Sequence, residues 1–309
     1  MTPVNSSANT VEWIFWFLIL FYLVTGVAIN VFEELPPFIR RRLLFYGKIS
    51  DDGSSSSGGW MLVPKSWFRH FYIFATAWGS LVILLTTRGY FFTGHIPTPF
   101  IDFLNFVCGN QRTVQSTAVE TFFGLLLLYI HILIRCYETN FIQIISKKAT
   151  MNVVQYLTSF FYYFGTITLI VCNGSGFVAQ TSIPKLNHQE IPWRVTICIG
   201  VFALASYHQF NSHRILVNLR KDNKGRVKSE GHFLPTGGFF DLVSSPHMFF
   251  ECMIYGAICG IIYTSSSWWA VMGIVIVNQF TTAYQTHLWY SKNFENYPRN
   301  RKVIVPFIF

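Results

Sequence analysis

Three stripes of polar residues recur at helical spacing inside apolar stretches of this 309-residue chain. Glu120, His131, Arg135 and Glu138 lie 11, 4 and 3 positions apart, close to whole helical turns, so they share one face. His247, Glu251 and Tyr255 repeat every fourth residue, and Tyr284, His287 and Tyr290 every third. His208 and His213 close another apolar run. Ionisable residues within membrane spans are expensive and mark function by default. For any one of them, hydrogen bonding between helices or snorkelling to the interface explains its presence equally well.

The residue types narrow the chemistry. Of nine histidines only His208 and His213 stand close together, without a third, which argues against an iron or other metal centre. None of the six cysteines forms a C-x-x-C pair, so neither zinc nor a dithiol is signalled. There is no G-x-G-x-x-G after a strand and no P-loop. A nucleotide would have to be held by side chains between helices and by basic segments. Arg220–Lys221 and Arg299, Arg301 and Lys302 carry the donors that a phosphorylated dinucleotide needs. They would serve equally as attraction to an anionic leaflet, and composition does not choose.

The elements that must position these residues are membrane helices. The chain is 51% hydrophobic and only 12% charged, about half the charge of a soluble domain. Seven apolar runs stand out, at 11–32, 67–87, 117–137, 152–172, 193–210, 247–264 and 267–286. Most approach the roughly 20 residues that a span requires, and lipid favours helices because it offers no backbone partners. The first run lacks the basic flank and shortness of a cleaved signal and is expected to be retained. Alternate connections divide the basic residues nineteen to four. By the positive-inside rule the N-terminus is lumenal and the C-terminus cytosolic. Arg135, Glu138, His208, His213, His247, Glu251, His287 and Tyr290 then gather near the cytosolic leaflet, and as a set they describe a site rather than scattered helix glue.

The expected architecture is an all-α integral membrane protein of about seven transmembrane helices. It forms a single domain over 1–309, in which residues 210–309 carry most of the site. The polar stretch DDGSSSSGG at 51–59 reads as a loop tip. The connection 88–116 is expected to lie along the interface. Asn5 and Asn173 begin N-x-S sequons on the lumenal side, Asn173 very near a helix end. Cys108 and Cys172 fall on that same side and could bridge. PTGGFF within 214–246 reads as a tight turn.

Several segments resemble the steroid 5α-reductase family. The tail HLWYSKNFENYPRNRKVIVPFIF, 287–309, is similar to the family's aromatic stretch, YPxxRK and terminal PFxF. LPTGGFFDLVSSPHMFFECMIY, 234–255, resembles its glycine turn, V-S pair and helix-leading glutamate, and VNLRKDNKG, 217–225, the basic approach to it. YGK at 46–48, VPKSWFRHFYI at 63–73, the Arg135–Glu138 pair, VVQY at 153–156, NLRK at 218–221 and VSSP at 243–246 resemble the polyprenol reductase branch. The steroid branch's glutamine-glutamate-leucine-proline element is echoed only by EELP at 33–36, so its steroid-contacting glutamate is not carried over.

The resemblance implies seven helices, the endoplasmic reticulum membrane, NADPH as hydride donor and saturation of the α-isoprene unit of a long polyprenoid, giving the dolichol series used in N-glycosylation. It places Glu251 and His247 near the nicotinamide, with His247 standing where the family commonly carries asparagine. Arg220, Tyr290 and Arg301 match cofactor-holding positions and His287 a histidine linked to activity; Lys221 and Arg135 are further cofactor-binding candidates. The expected partners are the lipid substrate and membrane lipids, with no nucleic acid and no obligate protein partner.

Hydride adds poorly to an isolated alkene, whereas an α,β-unsaturated aldehyde takes it at the β-carbon and collects charge on oxygen, which the site must stabilise. The aldehyde is therefore the expected substrate. His287, Tyr290 or Tyr284 are candidate donors to that oxygen and Glu251 an acceptor for the nicotinamide amide. The same logic admits a 3-oxo-Δ4 steroid or a trans-2-enoyl thioester. A methyltransferase acting on isoprenylcysteine, a lipid transporter or a scaffold would also suit a chain of this apolar, polytopic kind. The lipid tail calls for a lateral opening between helices, without indicating which ones part.

Overall fold

The computed structural model describes residues 9–31, 62–178, 186 and 191–309. Asn5, EELP at 33–36, YGK at 46–48, the 51–59 stretch and the basic residues Arg40, Arg41, Arg42, Lys48 and Lys185 lie outside them. The described residues form eight α-helices: α1 (Thr10–Val31), α2 (Phe68–Thr87), α3 (Thr98–Cys108), α4 (Ala118–Tyr137), α5 (Val153–Cys172), α6 (Trp193–Asn218), α7 (Pro246–Ile261) and α8 (Ser266–Asn293). Seven of them begin and end within a few residues of the apolar runs, apart from the longer C-terminal ends of α6 and α8. The expectation of a purely helical protein needs one small correction. An antiparallel ribbon joins β1 (Leu62–Pro64) to β2 (Thr150–Asn152), with Val63 opposite Met151.

Local chemistry explains the helix ends. Thr117 and Glu120 form a reciprocal capping box at the start of α4. Asn152 caps α5 by accepting from the Val154 amide at 2.8 Å, and Pro246 opens α7, where a missing N–H does no harm. α6 and α8 run to 26 and 28 residues. Their apolar patterns fade earlier, but nothing in Asn211–Arg214 or Thr286–Asn293 breaks a helix once it is nucleated. The helix α3 is new relative to the sequence reading. Phe100, Leu104 and Cys108, four residues apart, bury one face of it against the bundle. With 11 residues it is too short to span.

Among the described residues, three helical stretches are long and apolar enough to cross a membrane by length and composition: 65–93, 118–142 and 153–172. α7 has 16 residues, or about 24 Å at 1.5 Å per residue. This is an apolar, mostly helical membrane protein, but helix length alone does not deliver the expected seven spans.

One core runs through the bundle, with Trp268, Tyr255, Phe15 and Leu128 fully buried. α6 packs along α7, α7 against α8, α1 on α8, and α2 against α4 and α5. At the α2–α4 contact, a Cβ on Gly79 would sit 2.8 Å from the Tyr129 ring, and the Tyr129 hydroxyl bonds Ser80 at 2.7 Å. A small residue lets the two helices close on each other there.

Polar clasps fasten the end of the bundle remote from Arg135 and Glu138. Arg194 donates to Glu120 at 2.5 Å and to the carbonyls of Gly260 and Ile261 at 2.8 and 2.6 Å. Glu12 accepts from Ser267 at 2.7 Å and Ser266 at 3.2 Å, tying α1 to α8. Glu120 therefore departs from the stripe of His131, Arg135 and Glu138 and serves as a structural anion. Cys108 and Cys172 are neighbouring buried free thiols. Asn173 is buried, with its side-chain nitrogen donating to Gln115 at 3.2 Å, which is poor exposure for a sequon.

Candidate functional site

Two polar nests occupy the remaining interior. The inner one is built by helical spacing. α4 contributes His131 and Arg135, α6 contributes Gln209 and His213, and α7 contributes His247, Glu251 and Tyr255. Glu138 opens a π-helical turn, Glu138–Ile142, that extends α4. There Thr139 Oγ1 donates to the Arg135 carbonyl at 2.6 Å and Asn140 Nδ2 to the Cys136 carbonyl at 2.8 Å. Such turns often sit at functional sites.

Within this nest Arg135 pairs with Glu138, and His213 Nδ1 lies 3.0 and 3.1 Å from the two Glu138 oxygens. Arg135 also approaches His213 Nδ1 at 2.9 Å and stands 5.7 Å over the Tyr72 ring. Gln209 donates to Glu251 and, at 3.2 Å, to the His247 carbonyl. His131 Nε2 is 3.3 Å from the other Glu251 oxygen. The His213 and His247 rings are 5.4 Å apart. Glu251 keeps 16% of its side chain exposed, whereas Glu138 keeps 1%. Glu138 is thus spent on structure, and Glu251 retains an open edge.

The outer nest lies where the C-terminal tail meets the start of α7. Ser244 Oγ donates to the Lys302 carbonyl at 3.1 Å and lies 2.7 Å from His287 Nδ1 and 2.5 Å from the Tyr297 hydroxyl. Nδ1 also lies 2.9 Å from the Tyr297 hydroxyl, and with that phenol donating to it a neutral His287 carries its proton on Nε2. Its Nε2 has no hydrogen-bond partner among the described residues. Burial pushes the Tyr297 phenol above its ordinary value, so it remains a donor at neutral pH. Tyr290, 1% exposed, stacks on Tyr297 with 6.3 Å between centroids.

Arg301 is the unusual member. It is 3% exposed, its guanidinium lies 5.5 Å over Tyr297, and one terminal nitrogen donates to the Pro235 carbonyl at 3.1 Å. Its Nε is buried without a partner among the described residues, and no described carboxylate lies within 4.0 Å. A buried cation in this condition lacks an anion.

The remaining candidates are dispersed. Arg220 straps loops together, donating to the carbonyls of Ile144 and, at 3.2 Å, Gly231, and approaching His232 at 3.4 Å. Burial lowers its pKa, partly offset by Tyr290 and Glu230. Lys221 sits in a hairpin, its backbone bridged to Val227. His208 is packed between Phe239 and Phe250 at 4.9 and 5.1 Å, and Tyr284 stacks on Phe309 at 6.5 Å. Arg135, His247 and Glu251 therefore come together in the inner nest and His287, Tyr290 and Arg301 in the outer one. Sequence reasoning missed Gln209, Ser244 and Tyr297. Gln209 lies one turn before His213, Ser244 lies in VSSP and Tyr297 in YPRNRK, so each stands in or beside a segment with a signal of its own.

A family profile described as 3-oxo-5-alpha-steroid 4-dehydrogenase matches residues 149–309. A protein of Drosophila melanogaster named polyprenal reductase is 36% identical over 309 residues, covering 97% of this chain and 93% of its own. Proteins of the same name from Danio rerio and Homo sapiens are 30% identical over 304 residues and 31% over 250. They cover 96% and 80% of this chain, and 97% and 78% of their own lengths.

The Arg135–Glu138–His213 triad generates a stability prediction. Glu138→Gln strands a buried guanidinium, at a cost of about 3–5 kcal/mol, measurable as a lower unfolding temperature in detergent. Replacing Arg135 and Glu138 together by methionine should cost less than the sum of the single changes. Additive losses would mean that the two residues are not coupled.

Proposed function

The chain belongs to the 3-oxo-5-alpha-steroid 4-dehydrogenase family, oxidoreductases acting on C=C bonds, and from that premise we propose that it saturates the α-isoprene double bond of a long-chain polyprenal, with NADPH as reductant. The similarity that carries this reading is the 36% identity, over 97% of the chain, to a relative named polyprenal reductase. The product is dolichal, the aldehyde of the dolichol series used in protein N-glycosylation. The protein works as a multi-pass enzyme of the endoplasmic reticulum membrane, with seven spans, a lumenal N-terminus and a cytosolic C-terminus. The coincidence of seven helices with seven apolar runs and the lopsided basic residues support that orientation. Protease added to sealed microsomes should remove a tag placed after Phe309; a protected tag would reverse the topology.

The donor set suits NADPH. Arg301, buried with an unused Nε, supplies a cation in need of an anion. Arg220 has donors left over from its loop carbonyls. Tyr290 and Tyr297 wall the same region. These residues hold phosphate, and Lys221 adds charge farther out. Glu251, with its open edge, accepts from a carboxamide, beside His247. Arg135 acts through Glu138 and His213 by fixing the α4–α6 pair. The cofactor, when bound, supplies a hydride.

The protein's own task concerns the aldehyde oxygen. As the β-carbon is reduced, that oxygen gains charge and needs an N–H or O–H donor; afterwards the α-carbon needs a proton. His287 is the candidate, because Ser244 and Tyr297 hold Nδ1 and leave Nε2 for the reaction. Tyr290 is the second donor. The two nests meet at the beginning of α7, where Ser244 and His247 stand three residues apart. A greasy tail keeps the substrate in the membrane while only its head reaches these groups.

Purified protein with NADPH should reduce polyprenal directly and leave the alcohol unchanged; faster direct turnover of the alcohol would refute the aldehyde assignment. Among variants, Glu251→Gln and His287→Ala should each lose most of the turnover, by roughly the 10²–10⁴-fold of a positioned acid–base group, while eluting as folded protein. Arg220→Ala should raise the NADPH concentration required for half-maximal rate more than the lipid concentration. Near-normal rates, or an unchanged NADPH requirement, would remove the residue concerned from the site.

A further inference from the structure

The helix pairs around the inner nest are closed unequally. α2 and α4 are clasped by Tyr129 against Gly79 and Ser80. α6 and α7 are joined by Gln209, which reaches both the His247 carbonyl and Glu251. α4 and α7 are joined by His131 with Glu251 and by Gly124, where a Cβ would lie 2.9 Å from Ile262. The α4–α6 seam differs. His213 crosses it to Glu138 and Arg135. Beside that crossing, Leu133, Ile134 and Tyr137 of α4 face Ser206, Tyr207 and Phe210 of α6 across a groove of about 420 Å³.

This groove adjoins the polar site on both walls. Ile134 is one turn from Glu138, Ser206 one turn from Gln209 and Phe210 one turn from His213, so the groove lies one helical turn from the nest along the same two helices. The outer rim is open, with Leu133, Tyr137 and Tyr207 exposed by 39%, 53% and 63%. Its lining is apolar apart from hydroxyl groups. Ser206 Oγ is buried with no partner among the described residues, not even the carbonyl one turn back that Ser212 Oγ takes from His208 at 2.8 Å. The volume lies within the roughly 300–1,000 Å³ of small-ligand pockets, enough for a few isoprene units and far too little for a whole polyprenoid.

We propose that the α4–α6 groove is the subsite through which the isoprenoid chain leaves the reaction centre for the bilayer, holding the units next to the reacting one. The proposal rests on the polyprenal reading above. Lipid tails are as apolar as the groove, so occupancy contributes little binding free energy. Its contribution is orientation, fixing the head unit while the remaining chain lies in the membrane.

The test compares two enals in reconstituted enzyme with NADPH, one of two isoprene units and one long-chain. Ser206→Phe and Leu133→Trp, made separately, fill the groove from opposite walls. Each should lower kcat/KM for the long-chain enal by about tenfold and leave the two-unit enal within about twofold of the parent. A long-chain enal carrying a photoreactive group on its second isoprene unit should label 133–137 and 206–210 in the unaltered protein, which covers the case of a variant that fails to fold. Equal losses on both enals, no loss on either, or labelling spread evenly around the bundle as for bulk lipid would overturn the groove assignment while the reductase reading stands. A parent protein that reduces neither enal would instead remove the polyprenal reading.

Discussion

A charge buried away from water must be matched, and most of this architecture follows from how each one is matched. Glu120 is answered by Arg194 and Glu138 by Arg135 and His213. The Arg194–Glu120 and His213–Glu138 contacts each join helices far apart in sequence. Removing one partner would be far worse than never having had the pair, because the survivor keeps its desolvation penalty. Arg301 and Glu251 depart from the rule. Arg301 has no described carboxylate, and Glu251 has a glutamine and a histidine in place of a guanidinium. The unanswered cation and the loosely answered anion lie in different nests joined by the start of α7. A ligand with phosphate at one end and a hydrogen-bond donor at the other would satisfy both.

The rigidity needed around such a ligand has a visible source. Gln209 is held on two sides, by the His247 carbonyl and by Glu251. His287 Nδ1 is held between the Ser244 and Tyr297 hydroxyls at 2.7 and 2.9 Å. Aromatic rings do the rest. Tyr255 stacks on Trp268 at 6.1 Å and meets His131 edge-on at 5.7 Å. These are supporting groups whose rotamers are locked by packing, the condition under which a hydrogen bond can be aimed rather than merely made.

Much of this was legible in the residues. The four-residue rhythm of His247, Glu251 and Tyr255 identifies one buried stripe, and the 131, 135, 138 spacing another, because a helix leaves little choice of face. Gln209, Ser244 and Tyr297 were not legible, because a neutral amide or hydroxyl in an apolar run carries no penalty large enough to stand out. The far ends of α6 and α8 were lost because hydropathy measures lipid preference, while helix continuation depends only on the absence of a breaker. Spacing alone groups Glu120 with His131; the arginine that claims it lies 74 residues away in sequence.

The C-terminal tail is where sequence and site join most tightly. Lys302 bridges Val243 in parallel register, with its amide donating to Leu242 and its carbonyl accepting from Ser244, both at 2.9 Å. A turn then brings Phe309 back, its carbonyl accepting from Ile304 and Val305 at 2.8 and 2.7 Å, with Phe307 at a φ of 67°. A phenylalanine at positive φ is uncommon and persists only where its surroundings enforce it. Here the enforcing contacts are the stacking of Phe309 on Phe280 at 6.2 Å and on Tyr284 at 6.5 Å, against α8. Pinned at both ends of 302–309, the tail cannot withdraw Arg301 from its place over the Tyr297 ring. The strain at Phe307 and the buried guanidinium are thus two parts of one arrangement: the chain's last residues are tied down so that a cation stays where water cannot neutralise it.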